Sequence, residues 1–189
     1  MVKLYENLPG LAVSAPKPKV EPLLLDQKYL NAERLMILMA AGSSDGPIPL
    51  YMQTVLQTLR DMARESNKLP GIDYQAFKAR ILAKPLIPTQ LGPLELRLDL
   101  LESFLAIPKS NLKKLKRKGN SWTPATGKLV IVDLSCPFVD PDTACALFGI
   151  CLGVFLEQKM DIGRIVALDE AHKVRRIGNV GCCTLHSRA

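Results

Sequence analysis

Lys128-Leu129-Val130-Ile131-Val132-Asp133-Leu134-Ser135 is a continuous apolar run closed by an acid, and after one intervening segment the pattern returns as Arg164-Ile165-Val166-Ala167-Leu168-Asp169-Glu170. Short apolar runs of this kind, rich in β-branched residues, read as strands buried on both faces, the condition of a parallel sheet. Between them Asp140 offers an N-cap, Pro141 fits the first helical position and Asp142 puts negative charge in the first turn. The helix expected to follow, as far as Glu157, is apolar nearly all round through Ala144, Leu147, Phe148, Cys151, Leu152, Val154 and Phe155. Gly149 and Gly153 would allow neighbours to approach closely, and both sides of such a helix need cover. Strand, crossover helix and strand together predict a right-handed βαβ unit over residues 128–173.

Upstream the periodicity is helical. A first helix is expected from Asp26 through Leu30, Arg34 and Leu38, stopped by Gly42. A second runs from Leu50 to Ser66, with Val55, Leu56, Leu59, Met62 and Ala63 on one face and charged residues opposite. Asp73 is an N-cap for a third, through Tyr74, Phe77 and Ile81, that must end before Pro85. Leu94 to Leu100 alternates like a strand, but Leu94, Leu98, Leu101 and Leu105 sit at helical spacing behind Pro93, so a helix is preferred. The expected class is α/β: an extended, disordered lead-in over 1–25, a helical region over 26–106, a basic loop over 107–127, the βαβ unit and an irregular tail over 174–189.

The composition, 189 residues with 48% apolar and 23% charged, is that of a globular domain rather than a disordered chain. Five cysteines without a C-x-x-C pair and two histidines, His172 and His186, argue against a zinc site or a disulfide framework. Adjacent Cys182 and Cys183 read as an incidental pair. The start lacks a secretory pattern, and the longest uncharged apolar run, Ala144 to Leu156, falls short of the roughly 20 residues a bilayer span needs. These features point to an intracellular protein, cytoplasmic or nuclear, that does not engage a membrane.

The formal charge is +7, and Lys109, Lys113, Lys114, Lys116, Arg117 and Lys118 account for all but one of those positive charges. Three readings stay open for this run: a solvated loop, a contact to the phosphate backbone of DNA, or a localisation signal.

Two carboxylates, Asp169 and Glu170, at the carboxyl end of a buried parallel strand stand where open α/β sheets bind ligands, and the Walker B arrangement of P-loop hydrolases has this form. The chain resembles the HerA/FtsK branch of P-loop ATPases, and within it a group of fungal proteins. Three features carry the resemblance: Val130-Ile131-Val132-Asp133-Leu134-Ser135, the helix from Asp142 to Glu157, and Arg164 to Lys173 with its Asp-Glu-Ala-His. Asp45 to Met52, Phe77 to Arg80 and Leu98 to Phe104 extend it across roughly residues 20–173. The resemblance implies a RecA-like fold and ATP as substrate, with Asp169 assisting Mg2+ and Glu170 acting as catalytic base. Asp133 and Ser135 would line the neighbouring strand end. His172 is either a γ-phosphate sensor or a hydrogen-bonded turn residue.

The chain holds no G-x-x-x-x-G-K-[ST] loop; its one Gly-Lys pair, Gly127-Lys128, is followed by Leu129 and has Trp122 where the first glycine should be. The family places that loop upstream of the helical region, so it is expected before Met1, and the tail from Val174 departs from the family's usual continuation. An isolated piece of such a sheet leaves an apolar strand edge, which predicts marginal stability, or a partner chain or homo-oligomer that supplies the missing strands. The sequence thus supports two functions: a truncated ATPase domain, ancestrally hydrolysing ATP during movement on DNA, or an inactive remnant acting by protein or weak nucleic-acid binding.

Overall fold

A computed structural model describes residues 2–6, 19–41, 48–65, 71–107, 118–123, 127–159, 163 and 165–169. Its elements in chain order are β1 (Val2–Glu6), β2 (Lys19–Glu21), a 3-10 turn (Gln27–Tyr29), α1 (Ala32–Ala40), α2 (Tyr51–Glu65), α3 (Tyr74–Leu82), α4 (Pro88–Ser103), β3 (Lys128–Val132) and α5 (Pro141–Glu157). Helix dominates, and the strands form a small sheet in the order β2-β1-β3.

The helices form where caps and apolar spacing coincide. Asn31 Oδ1 accepts the Arg34 amide at the start of α1, Asp73 accepts the amides of Gln75 and Ala76 at the start of α3, and Asp140 accepts that of Thr143 at the start of α5. Buried Leu35, Leu38 and Met39 from α1, Tyr51, Met52, Val55 and Leu59 from α2, Tyr74, Phe77 and Ile81 from α3, and Leu94, Leu98 and Leu101 from α4 join one core. Ala146, Leu147, Ile150, Cys151 and Val154 of α5 belong to the same core. Helix α5 therefore packs into the helical region and is not segregated with the strands. Between α3 and α4, Tyr74 Oη and Lys78 Nζ both donate to Glu102 Oε1, at 3.0 and 2.5 Å. Burial, then the Glu102 charge, raises the Tyr74 phenol well above its ordinary value.

Helix α4 starts at Pro88, so Pro93 lies inside it and not at its first position. Leu94, Leu98 and Leu101 are its buried residues, and it is this stripe, not the alternation of residues 94–100, that meets the core. Pro93 forgoes one amide donor, which the packing of three leucines outweighs.

Three expectations need correction. The amino-terminal stretch, expected as a lead-in, contributes β1 and β2, and Leu23, Leu24 and Leu25 are buried. Strand β3 is not buried on both faces: Val130 and Val132 pack against the core, whereas Leu129 and Ile131 are exposed. Its neighbour is β1, antiparallel, from Val2 opposite Val132 to Glu6 opposite Lys128. A half-covered strand of an antiparallel sheet shows this alternation, and a doubly covered parallel strand does not. The second strand, expected to open at Arg164, is not formed over residues 165–168, which carry no regular structure and leave Ile165 96% exposed. No parallel βαβ unit is therefore present among the described residues. The segment that would form the second strand stays exposed and outside the sheet, while β3 takes its main-chain partner from β1 and α5 packs against α1.

One short segment, Leu24–Leu25, bonds to described residues on both sides of the basic run. Leu25 N–H donates to the Phe104 carbonyl at 2.7 Å and Ala106 N–H to the Leu25 carbonyl at 2.9 Å. Leu24 N–H donates to Asn120 Oδ1 at 2.6 Å, and Asn120 N–H returns to the Leu24 carbonyl at 2.8 Å. Gly119 fits so closely that a β-carbon there would lie 2.6 Å from the Asp26 amide nitrogen. Trp122, beyond it, is buried in the core. Asn120→Ala removes a buried acceptor and leaves the Leu24 amide unpaired, so it should cost about 1–3 kcal/mol, read as a lowered urea midpoint. Exposed Ser121→Ala should stay within about 0.5 kcal/mol of the parent.

Candidate functional site

The candidate residues at the carboxyl ends of the apolar runs fall into two groups. At the end of β3, Asp133 Oδ1 accepts from the Ser135 amide at 3.0 Å and from the Ser135 hydroxyl at 2.5 Å. This closed turn satisfies both side chains locally and fixes the exit of the chain from the strand. Asp133 is half-buried, Ser135 is exposed, and the turn leads through exposed Cys136 and Phe138 to the cap of α5.

Asp169 follows the exposed segment 165–168, which carries no regular structure, and is itself exposed. Glu170 and His172 lie outside the described residues, as do Lys109, Lys113, Lys114, Lys116 and Arg117; Lys118 is described and exposed. Asp133 and Ser135 are thus brought together. Asp169 joins no cluster, because among the described residues no three His, Cys, Asp or Glu side chains stand close enough to hold a metal ion. Mg2+ is commonly held by one or two carboxylates with substrate phosphates completing the shell. Asp169 is compatible with such a role as a single donor, but the described residues supply no cradle of amides for the phosphates.

The start of α5, which follows the strand-end turn, is closed to ligands by its own side chains. Asp140 Oδ1 accepts the Thr143 amide at 2.8 Å and its Oδ2 accepts the Thr143 hydroxyl at 2.6 Å. Behind them Arg97 donates through Nε to the Leu38 carbonyl at 2.7 Å, and its two terminal nitrogens each lie 3.2 Å from Thr143 Oγ1. Burial draws the Arg97 guanidinium below its usual value, countered by the charges of Asp140, Tyr51 and Asp142. Burial pushes the Asp140 carboxyl up, but the Thr143 hydroxyl and amide and the Arg97 charge outweigh it, so the group ends below the ordinary carboxylate range. Sequence reasoning misses Arg97, which looks like an outward residue of an alternating stretch; its one signal is a lone cation on a leucine-rich helix.

One concavity among the described residues lies beside Arg97 and Thr143 and, at about 10 Å3, has room for a single water. Another is an open groove between Gln27, Lys28 and Gly71–Asp73, remote in sequence from both strand ends. Cys151 is buried and its thiol is pushed up to about 12 by that burial, which makes it inert as a nucleophile. No helix among the described residues is long and apolar enough to cross a membrane.

The depressed Asp140 carboxyl carries a pH signature. Its contribution to stability is fully present above the unfolded value of about 3.9 and is lost as pH falls through the lower folded value. Asp140→Ala should therefore cost about 1 kcal/mol at pH 7, and urea unfolding should show the gap between parent and variant narrowing at pH 3. Set beside known proteins, the chain matches no family model, no curated protein and no solved structure.

Proposed function

We propose that the chain carries the Walker B portion of an ATPase domain of HerA/FtsK type. The observation that supports this reading is the order β3, closed Asp133-Ser135 turn and capped helix α5, followed by an apolar segment that ends in Asp169 and Glu170. In this reading residues 164–168 belong beside β3 in a RecA-like βαβ unit. Asp169 would be the carboxylate for Mg2+, which when bound neutralises phosphate charge. Glu170 would accept a proton from the attacking water, and Asp133 and Ser135 would border the site. The phosphate loop such chemistry needs is not encoded in this chain.

Purified protein assayed for Mg2+-dependent ATP hydrolysis tests the proposal. Turnover that falls at least about a hundredfold in Glu170→Gln supports it, in keeping with the usual worth of a general base. Turnover indifferent to that change, or none at all, moves the chain to a second reading.

That second reading is a non-catalytic fragment that binds a partner chain or nucleic acid, and the run of six cations over residues 109–118 favours it. Ala106 and Asn120, on either side of that run, bond to the adjacent residues Leu25 and Leu24. The protein is then expected to bind duplex DNA with an affinity that falls steeply as salt rises. Replacing Lys113, Lys114, Lys116, Arg117 and Lys118 by Gln should weaken it uniformly across sequences and flatten the log–log salt slope by about 0.9 for each phosphate no longer neutralised. Binding unchanged by the replacement would remove the loop from any nucleic-acid role.

A further inference from the structure

Among the described residues the sheet has an open edge, and the chain carries a segment suited to it. In the order β2-β1-β3, β3 pairs with β1 on one side and with no described strand on the other. Its outward Leu129 and Ile131 are 44% and 38% exposed. Residues 165–168, Ile-Val-Ala-Leu, have strand-forming composition but no regular structure, and leave Ile165 96%, Val166 40% and Leu168 38% exposed. An open edge and an unpaired apolar segment on the same chain are the two halves of a strand exchange.

We propose that two copies of this chain associate by exchanging Ile165–Asp169, each segment adding antiparallel to the open edge of the other copy's β3. Charge favours one direction. The antiparallel alignment sets Ile165 opposite Val132, Val166 opposite Ile131, Ala167 opposite Val130, Leu168 opposite Leu129 and Asp169 opposite Lys128. Four apolar pairs are thus closed by one pair of opposite sign. Lys128 already stands opposite Glu6 of β1 and acts on Glu21, so the added carboxylate enters a site of mixed charge and shares that cation. A parallel alignment on the same five residues sets Asp169 beside Val132 and Ile165 beside Lys128, and so loses the pair of opposite sign; shifted by one residue it brings Asp169 beside Asp133, where like charges repel. A single connection through α5 returns a strand parallel to β3, so the favoured direction is the one a second copy supplies. The arrangement is reciprocal: one two-fold axis relates both exchanges, and closed symmetry stops growth at the dimer. Such a dimer goes beyond the proposed function and does not rest on it; the two use the same segment, so the exchanged copy is not the one that would hydrolyse ATP. Within it Asp169 faces Lys128 and is withdrawn from any metal.

Sedimentation or light scattering on the full chain reads the result directly. A mass of twice the 20.8 kDa chain is expected at micromolar concentration. Asp169→Lys changes two attractive pairs per dimer into repulsive ones and should raise the dimer dissociation constant about tenfold, with Lys128→Asp combined with Asp169→Lys restoring it. Leu168→Asp should give a monomer. Both positions are exposed and outside the core, and an unchanged far-ultraviolet dichroism spectrum confirms that the variants fold. A monomer at hundreds of micromolar overturns the proposal. So does a dimer indifferent to Leu168→Asp and Asp169→Lys, which would point to β3 pairing with its own copy.

Discussion

Two residues with all four main-chain groups bonded hold this protein together. Leu24 bonds to Asn120 in both directions and Leu25 to Phe104 and Ala106, so a short extended segment is clamped between the end of α4 and the far end of the basic loop. Their side chains are buried with Leu23, and a buried backbone without such partners would be costly. Everything amino-terminal to the clamp, including β2, enters through it. So do the described residues on either side of 108–117, Phe104 and Ala106 before it and Asn120 after it. Lost conformational freedom is the chief cost of ordering such a connection, and here four bonds and three leucines offset it at one point.

A second constraint works on α5. Arg34, from α1, donates to the Tyr29 carbonyl at 2.8 Å and pairs with Glu157 at 2.5 Å near the carboxyl end of α5, while Gly153 leaves just the room its guanidinium requires. Arg97, from α4, holds the other end through Thr143. A helix fixed at both ends to the helical region has its buried stripe of Thr143, Ala146, Leu147, Ile150, Cys151 and Val154 chosen for it. Gly149, on another face, meets nothing within van der Waals range. Phe148 and Leu152 stay half-buried for the same reason.

The legible part of the fold is the local part. Asp73 and Asp140 announce two helix starts because a cap bonds to amides two or three residues away, and the leucine stripe of α4 outweighs its alternation because burial rewards the face that meets the core. Pairing of β1 with β3 joins residues 2–6 to 128–132, and nothing in either segment names the other. The apolar run 128–134 is equally compatible with a doubly covered parallel strand and with the half-covered one observed, since covering is decided by neighbours. Within the candidate site, the partnership of Asp133 with Ser135 is legible from a spacing of two, as an Asx-type turn is local. Arg97 and Asn120 are not legible, because each draws its role from partners 46 and 96 residues away.

The two functional readings differ in what each asks of β3. An ATPase site asks for a neighbouring parallel strand that carries Asp169 and Glu170 to the end where Asp133 and Ser135 stand. A binding fragment asks only that the core be self-sufficient without that strand. The described residues meet the second demand: one continuous core runs from Leu23 to Val154, and it owes none of its buried members to residues 165–169. A sheet edge that no described strand covers, beside a core already complete, can take a further strand at little cost to the fold. A strand that occupied it would add to the sheet without being needed for folding, which is the physical separation between scaffold and edge that a switchable assembly requires.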